Sequence, residues 1–185
     1  MINQNQNTKV VTGEVRFSYL NVWEPKSIDG SEPKYSASLL IPKEDKKTLA
    51  AINRAVEAAK EVGKNSKFGG KIPPNLKMPL RDGDIDRPED EAYANCYFVN
   101  ANCKTKPGIV DKHCQPIIDS TEFYSGCFGH ASITFYPYSV NGNKGIACGL
   151  NHLMKTADGD PLGGRSRAED DFAGLFQDDD DDFLN

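Results

Sequence analysis

The feature that most constrains the fold is a series of short strand-like segments interrupted by a single helical stripe. From Val10 to Val22 polar and apolar residues alternate, which is the pattern of a strand with one buried face. A second alternating segment, Tyr35 to Ile41, ends at Pro42, which has no backbone N–H for a central ladder. These segments predict a mainly β chain.

One helix is predicted after the second strand. Asp45 is suited to the N-cap, and Gly63 stands where a C-cap glycine is common. Between them an apolar stripe recurs at helical spacing, which indicates one face packed on a core. The stripe consists of Leu49, Ile52, Val56, Ala59 and Val62.

After the predicted helix, long connections alternate with further strands. Residues 64–92 are rich in Gly, Pro, Lys and Asp and predict a connection that wraps the surface. The later strand-like segments are Ala94–Ala101, Gly126–Tyr138 and Gly145–Leu150, with a hairpin turn at Asn141-Gly142-Asn143, while Gln115–Ile118 is a weaker strand candidate. Five strands with one inserted helix and long loops predict a mainly β, five-stranded antiparallel OB-fold-like barrel.

The charge is divided unevenly along the chain. The segment 169–185 contains eight of the 27 acidic residues and no basic residue, which leaves residues 1–168 with 19 acidic against 22 basic side chains, or about +3. A run of like charges cannot share a packed core. We therefore predict a domain at 1–168 followed by a disordered acidic tail at 169–185. The tail residues predicted to contact partners are Asp178, Asp179, Asp180, Asp181, Asp182 and Phe183.

Several classes of function are disfavoured. Structural zinc sites usually pair ligands about two to four residues apart, and Cys96, Cys103, Cys114 and Cys127 are spaced more widely, so free thiols are expected. The sequence contains no Gly-x-Ser-x-Gly elbow and no phosphate-binding loop, and no enzyme activity or cofactor is predicted. The short apolar runs and a polar N-terminus without a signal pattern predict a cytoplasmic protein.

Nucleic-acid binding has more support. An unpaired strand is held without sequence preference by aromatic rings for the bases and by Lys or Arg for the phosphates. Stacking is expected mainly on Trp23, with help from Tyr136 or Tyr138, although many tyrosines in small barrels bury their rings. The candidate DNA contacts are Arg16, Tyr19, Trp23, Lys26, Lys34, Tyr35, Tyr97, Lys104, Lys106, Tyr136 and Tyr138.

Two hypotheses from different classes remain open. In the first, the body binds single-stranded DNA and the acidic tail either competes for the same groove or recruits partners. In the second, the protein is an adaptor that uses the tail and a polar strand face for protein partners and never holds DNA. A body charge of only about +3 keeps the adaptor hypothesis open, because nucleic-acid-binding domains are usually more basic.

The sequence also resembles a family of tailed-bacteriophage single-stranded-DNA-binding proteins, with distant similarity to the podovirus type that works at the replication fork. The resemblance rests on Phe17–Trp23, Lys34–Lys43, Phe123–Cys127 and Lys144–Asn151, together with the acidic, phenylalanine-bearing end. It implies an OB-fold that coats single-stranded DNA during phage replication or recombination in the host cytoplasm. It further implies a homodimer and a tail that contacts a DNA polymerase or a helicase–primase.

Overall fold

The computed structural model describes residues 7–27, 29–162 and 172–175. The described chain is mainly β and OB-like, as the sequence predicts. The helices are α1 (Lys46–Ser66) and α2 (Gly83–Asp86), with a 3-10 helix at Glu91–Tyr93. The strands are β1 (Lys9–Val11), β2 (Val15–Lys26), β3 (Lys34–Pro42), β4 (Leu80–Asp82), β5 (Cys96–Cys103), β6 (Gly108–Val110), β7 (Phe128–Val140) and β8 (Asn143–Ala157).

Five of these strands form a closed ring of pairings in the order β7–β2–β3–β5–β8 and back to β7. The pairings are antiparallel except for β5 with β8, where Ala101 lies opposite Cys148 in a parallel register. The expectation of a wholly antiparallel arrangement is therefore corrected at this pair. The reason is topological, because a closed ring with an odd number of strands requires at least one parallel pair.

The inner face of the ring forms one hydrophobic core. Phe17, Leu39, Val99 and Ile133 come from four different strands, and each is completely buried. The apolar stripe of α1, represented by Ile52, joins the same core. Burying a side chain of this size contributes about 1.5–3 kcal/mol, so packing inside the ring is strongly stabilising.

The two ends of α1 differ in how well the sequence predicts them. Asp45 is the N-cap, as expected, and its carboxylate accepts a hydrogen bond from the backbone N–H of Thr48 at 3.1 Å. Gly63 is not the C-cap, because the helix continues to Ser66. A Cβ at Gly63 would lie 2.5 Å from the Phe68 ring and 2.6 Å from Pro137, so the glycine permits close packing rather than a helix end.

Two strand predictions need correction. The segment Val10–Val22 is divided between β1 and β2, because the chain turns around Gly13, whose N–H donates to the Thr48 hydroxyl at 2.9 Å. The segment Gln115–Ile118 contributes only a single bridge, from Pro116 to Val110. The neighbouring strand is instead β6, which pairs in parallel with β8.

The predicted surface connection after α1 does more than wrap the ring. It contributes β4, which pairs with β5, and it places Tyr93 on the outer face of the sheet. Tyr93 is buried there against Leu40 and Phe98 in a second, smaller apolar cluster. Among the described residues, this cluster covers one part of the outer surface of the sheet and leaves the rest uncovered.

Candidate nucleic-acid interface

The uncovered part of the outer surface of β2, β3 and β5 is polar. The antiparallel register places Asn21 opposite Ser36, and Ser36 opposite Asn102. The Asn21 amide donates to the Ser36 hydroxyl at 3.3 Å, and Asn100 is exposed two residues before Asn102. We call the surface formed by Asn21, Ser36, Asn100 and Asn102 the open face. It offers amide and hydroxyl groups on the sheet surface, with no large apolar side chain among these four.

Tyr19 lies at the border of the open face in a backbone conformation that is uncommon for its residue type. Its φ is +46°, and the pairing of β2 with β3 shifts register between Ser18 and Asn21. The side chain is 56% exposed, and the Arg87 guanidinium lies 5.5 Å from the ring centroid. An aromatic residue with positive φ is rare and costs free energy, which favours a functional role for the bulge.

Four of the predicted lysines gather at one end of this face, which we call the lysine end. Lys26 and Lys34 are exposed and directly opposite each other where β2 pairs with β3. Lys104, just after β5, forms an exposed ion pair with Glu32 at 3.3 Å, and the exposed Lys106 follows two residues later in the same connection. Exposed pairs of this kind contribute little, so a phosphate can displace Glu32.

Trp23 is less accessible than the sequence suggests. It is half-buried and packs against the main core, and its indole N–H donates to the Phe123 carbonyl at 3.0 Å. The Lys106 ammonium lies 5.1 Å from the centroid of its ring. A base that stacked on the face occupied by Lys106 would have to displace that ammonium group.

Arg16 is engaged within the protein. Its Nε donates to the Gly126 carbonyl at 3.1 Å and its Nη2 to the Asp160 carbonyl at 2.7 Å. The guanidinium also lies 5.5 Å from the centroid of the Phe128 ring. These contacts hold the segment that follows β8 in place, which gives Arg16 a structural role.

The segment after β8 reaches the border of the open face. The Leu162 N–H donates to the Ser125 carbonyl at 2.8 Å, and the Tyr124 hydroxyl donates to the Gly159 carbonyl at 3.0 Å. Leu162 lines a small cavity of about 320 Å³ together with Tyr19 and Lys26. The chain is thus held beside the open face at Leu162, seven residues before the predicted tail begins.

The other predicted aromatics lie elsewhere. Tyr97 points inward, packs against the core and has the Lys43 ammonium 5.1 Å from its ring centroid. Tyr136 is 42% exposed on the outer face of β7, opposite Ala147, and partial burial raises the pKa of its phenol. Tyr138 is half-buried on the same strand, and Tyr35 is half-buried on β3 opposite Cys103. The structure does not bring Tyr97, Tyr136 or Tyr138 to the open face.

The remaining predictions concern the cysteines, metal binding, membrane helices and the acidic tail. All five cysteines are free, as predicted. Within residues 7–27, 29–162 and 172–175 no group of three or more His, Cys, Asp or Glu side chains is arranged to hold a metal ion. No described helix has the length and apolar character needed to cross a membrane. Asp178–Asp182 and Phe183 lie outside the described residues.

The family model of the single-stranded-DNA-binding protein of Enterobacter phage Enc34 matches residues 8–184. The chain belongs to this family. The match confirms the resemblance to phage single-stranded-DNA-binding proteins, and it agrees with the expectation that the protein is not an enzyme.

Individual relatives agree with the family. The chain is 29% identical over 167 residues to protein p50 of Acyrthosiphon pisum secondary endosymbiont phage 1, covering 84% of this chain and 87% of p50. The structure of the bacteriophage Enc34 single-stranded-DNA-binding protein in complex with ssDNA matches with a TM-score of 0.71 and 28% identity, over 84% of this chain and 90% of that one. The gp2.5 protein of bacteriophage T7 shares the fold, with a TM-score of 0.62 at 15% identity over 89% and 92% of the two chains.

Sequence reasoning missed part of the site. Arg87 lies in the connection before the 3-10 helix and reaches Tyr19 only because that connection wraps the ring. Asn100 and Asn102 alternate with the buried Val99 and Ala101, and this pattern of polar outward positions was a usable signal. Arg87 had no comparable signal, since nothing local indicates which strand a long connection will cross.

Proposed function

We propose that this protein binds single-stranded DNA without sequence preference along the open face. The observation that carries the proposal is the exposed Tyr19 ring beside Arg87, at the border of a polar sheet surface that ends in four lysines. The Enc34 relative, whose structure is described as a complex with ssDNA, supports this ligand. Stacking is tolerant of sequence because every base has a π-face.

Different residues of the open face and its borders contact the bases, the sugars and the phosphates. Tyr19 supplies the stacking surface, and stacking on an aromatic is worth about 1–3 kcal/mol per base. Asn21, Asn100 and Asn102 can donate to or accept from sugars and base edges, while the lysine end neutralises phosphates. The lysines are dispersed and exposed, so affinity is expected to fall as salt rises.

We extend the proposal to the acidic segment 169–185, which we propose remains disordered beyond a domain at 1–168. Leu162 is held beside Tyr19 and Lys26, so eight carboxylates are tethered close to the lysine end. Even weak contact then competes with DNA, since a short tether produces an effective concentration of the order of millimolar. The same tail is proposed to recruit a DNA polymerase or helicase–primase during phage replication or recombination in the host cytoplasm, with the protein acting as a homodimer.

The decisive experiment is a titration of the full-length protein with a fluorescent homopyrimidine oligonucleotide at two salt concentrations. We expect binding that weakens with salt, with a log–log slope of roughly 0.7 for each phosphate neutralised on a single strand. A duplex of the same length is the control for strand preference. Binding that is absent below about 100 µM at low salt would favour the adaptor hypothesis.

Removal of 169–185 tests the role of the tail. The truncated protein is expected to bind the oligonucleotide more tightly than the full chain, most of all at low salt, because screening weakens the competing contact. A full-length variant with Asp178–Asp182 changed to Asn is the matched control, since it keeps the length of the tail. Equal affinities of all three proteins at low salt would eliminate self-competition.

A further inference from the structure

A second basic surface continues from the lysine end around the ring. It is a groove of about 670 Å³ whose polar lining consists mainly of Lys9, Lys104, Lys106, Thr134, Asn151 and His152. Its lining contains three lysines and no Asp or Glu, and it includes no Phe, Tyr or Trp. We call it the lysine groove. Its charge suits an anion, and the absence of such rings disfavours base stacking there.

The lining side chains are positioned by the sheet. Lys9 of β1 lies opposite Thr134 of β7, and the Asn151 amide donates to the Thr134 hydroxyl at 2.9 Å. His152 Nδ1 accepts the Gly108 N–H at 3.1 Å. A ring nitrogen that accepts is unprotonated, so the neutral ring carries its proton on Nε2, which remains a hydrogen-bond donor. Lysine ammonium and imidazole N–H groups are donors suited to phosphate oxygens.

The groove is continuous with the proposed DNA surface. Lys104 and Lys106 belong both to the lysine end and to the groove, and the groove lies over the junction where β8 pairs with β7. We infer that the lysine groove binds the sugar–phosphate backbone of the same single strand after it leaves the open face. This inference rests on the proposed function. It adds a second length of the DNA strand, which the protein binds through phosphate contacts alone.

Oligonucleotide length provides the test, because OB-folds cover roughly 4–16 nucleotides. A strand of about 6 nucleotides would occupy only the open face, whereas one of about 16 would also enter the groove. Lys9→Glu reverses a charge in the groove but lies away from the open face. Lys47→Glu, exposed in the first turn of α1, is the matched control with the same change in net charge.

For full-length Lys9→Glu we expect about fivefold weaker binding of the longer strand at low salt and a salt slope smaller by about 0.7. Binding of the shorter strand should equal that of Lys47→Glu. A loss on both lengths that matches Lys47→Glu would overturn the inference, since net charge would explain it. Tighter binding on both lengths would also overturn it and would indicate that the groove holds the acidic tail. A wild-type protein that binds neither strand would instead refute the proposed function.

Discussion

The outer surface of β3 and β5 has two halves that differ although the same two strands form both. In the covered half, Leu40 lies opposite Phe98, and Tyr93 packs on them with its ring centroid 5.0 Å from that of Phe98. In the open half, Ser36 lies opposite Asn102, and within residues 7–27, 29–162 and 172–175 no comparable apolar cluster covers them.

The difference shows that the outward-facing residues determine which part of the sheet must be covered. Exposed Leu and Phe side chains would cost free energy in water, so a segment that buries them is stabilising. Ser and Asn side chains are satisfied by water or by a polar ligand. The Tyr93 hydroxyl, which donates to Ser38 at 2.9 Å, marks the boundary. The open face therefore begins where the apolar cluster of Leu40, Tyr93 and Phe98 ends.

The largest loss of stability is expected from a substitution in the covered half. Phe98→Ala should lower the free energy of unfolding by about 3–5 kcal/mol, since it removes a fully buried ring from beneath Tyr93 and Arg81. Urea denaturation measures the change. Asn100→Ala, two residues along the same strand and exposed, is the control and should change stability by no more than about 0.5 kcal/mol. If Phe98→Ala and Asn100→Ala lowered the free energy of unfolding equally, the apolar cluster around Phe98 would contribute nothing to stability.

A smaller effect is expected at the border of the open half. Tyr19→Ala should weaken oligonucleotide binding by about 1–3 kcal/mol, with stability nearly unchanged, because the ring is exposed and Ala keeps the Cβ that makes the positive φ unfavourable. Fluorescence anisotropy measures the affinity. Tyr136→Ala, on an exposed tyrosine outside this face, is the matched control and should bind as the wild type does.

Comparison with Trp23→Ala separates the two candidate stacking residues. The sequence predicts a binding loss at Trp23 with stability nearly unchanged, whereas the half-buried indole and its hydrogen bond to Phe123 indicate that stability falls as well. If Tyr19→Ala binds normally and Trp23→Ala is a stable variant that does not bind, Trp23 is the stacking residue.

The smallest change in stability is expected for the ion pairs of Lys43 with Asp82 and Asp84, which lie in the connection that covers Leu40 and Phe98. Lys43 contacts Asp82 at 2.9 Å and Asp84 at 2.8 Å. The hydrogen bond from Lys43, followed by that from the Asn95 N–H, lowers the pKa of the Asp84 carboxyl. Because its folded pKa lies below the unfolded value of about 3.9, its stabilising contribution is present above that pH and is lost as pH falls through the folded value.

Asp84→Asn tests this dependence. Between about pH 5 and pH 2 the wild type should lose more stability than the variant, because only the wild type must protonate this carboxylate on acidification. Urea midpoints across the pH range measure the difference, and Glu61→Gln, on an exposed carboxylate of α1, is the control. Parallel pH profiles for the wild type and Asp84→Asn would contradict the assignment.

Local patterns predicted local structure well. The cap at Asp45, the helical stripe and the strand predicted within Gly126–Tyr138 each depend on a few neighbouring residues, and the structure confirms them. The predicted lysines also converge, because Lys26 and Lys34 flank one connection. The aromatics were less predictable, since alternation alone does not distinguish an exposed ring such as Tyr19 from an inward one such as Tyr97.

The sequence by itself determined most of each of the five strands of the ring, the helix α1 and the acidic segment, because each depends on neighbouring residues and their period. The tertiary structure decided the parallel pairing of β5 with β8, the placement of Tyr93 over Phe98 and the approach of Arg87 to Tyr19. These features join segments far apart in the chain. Their free energy comes from closing one ring around one core, which no local window contains.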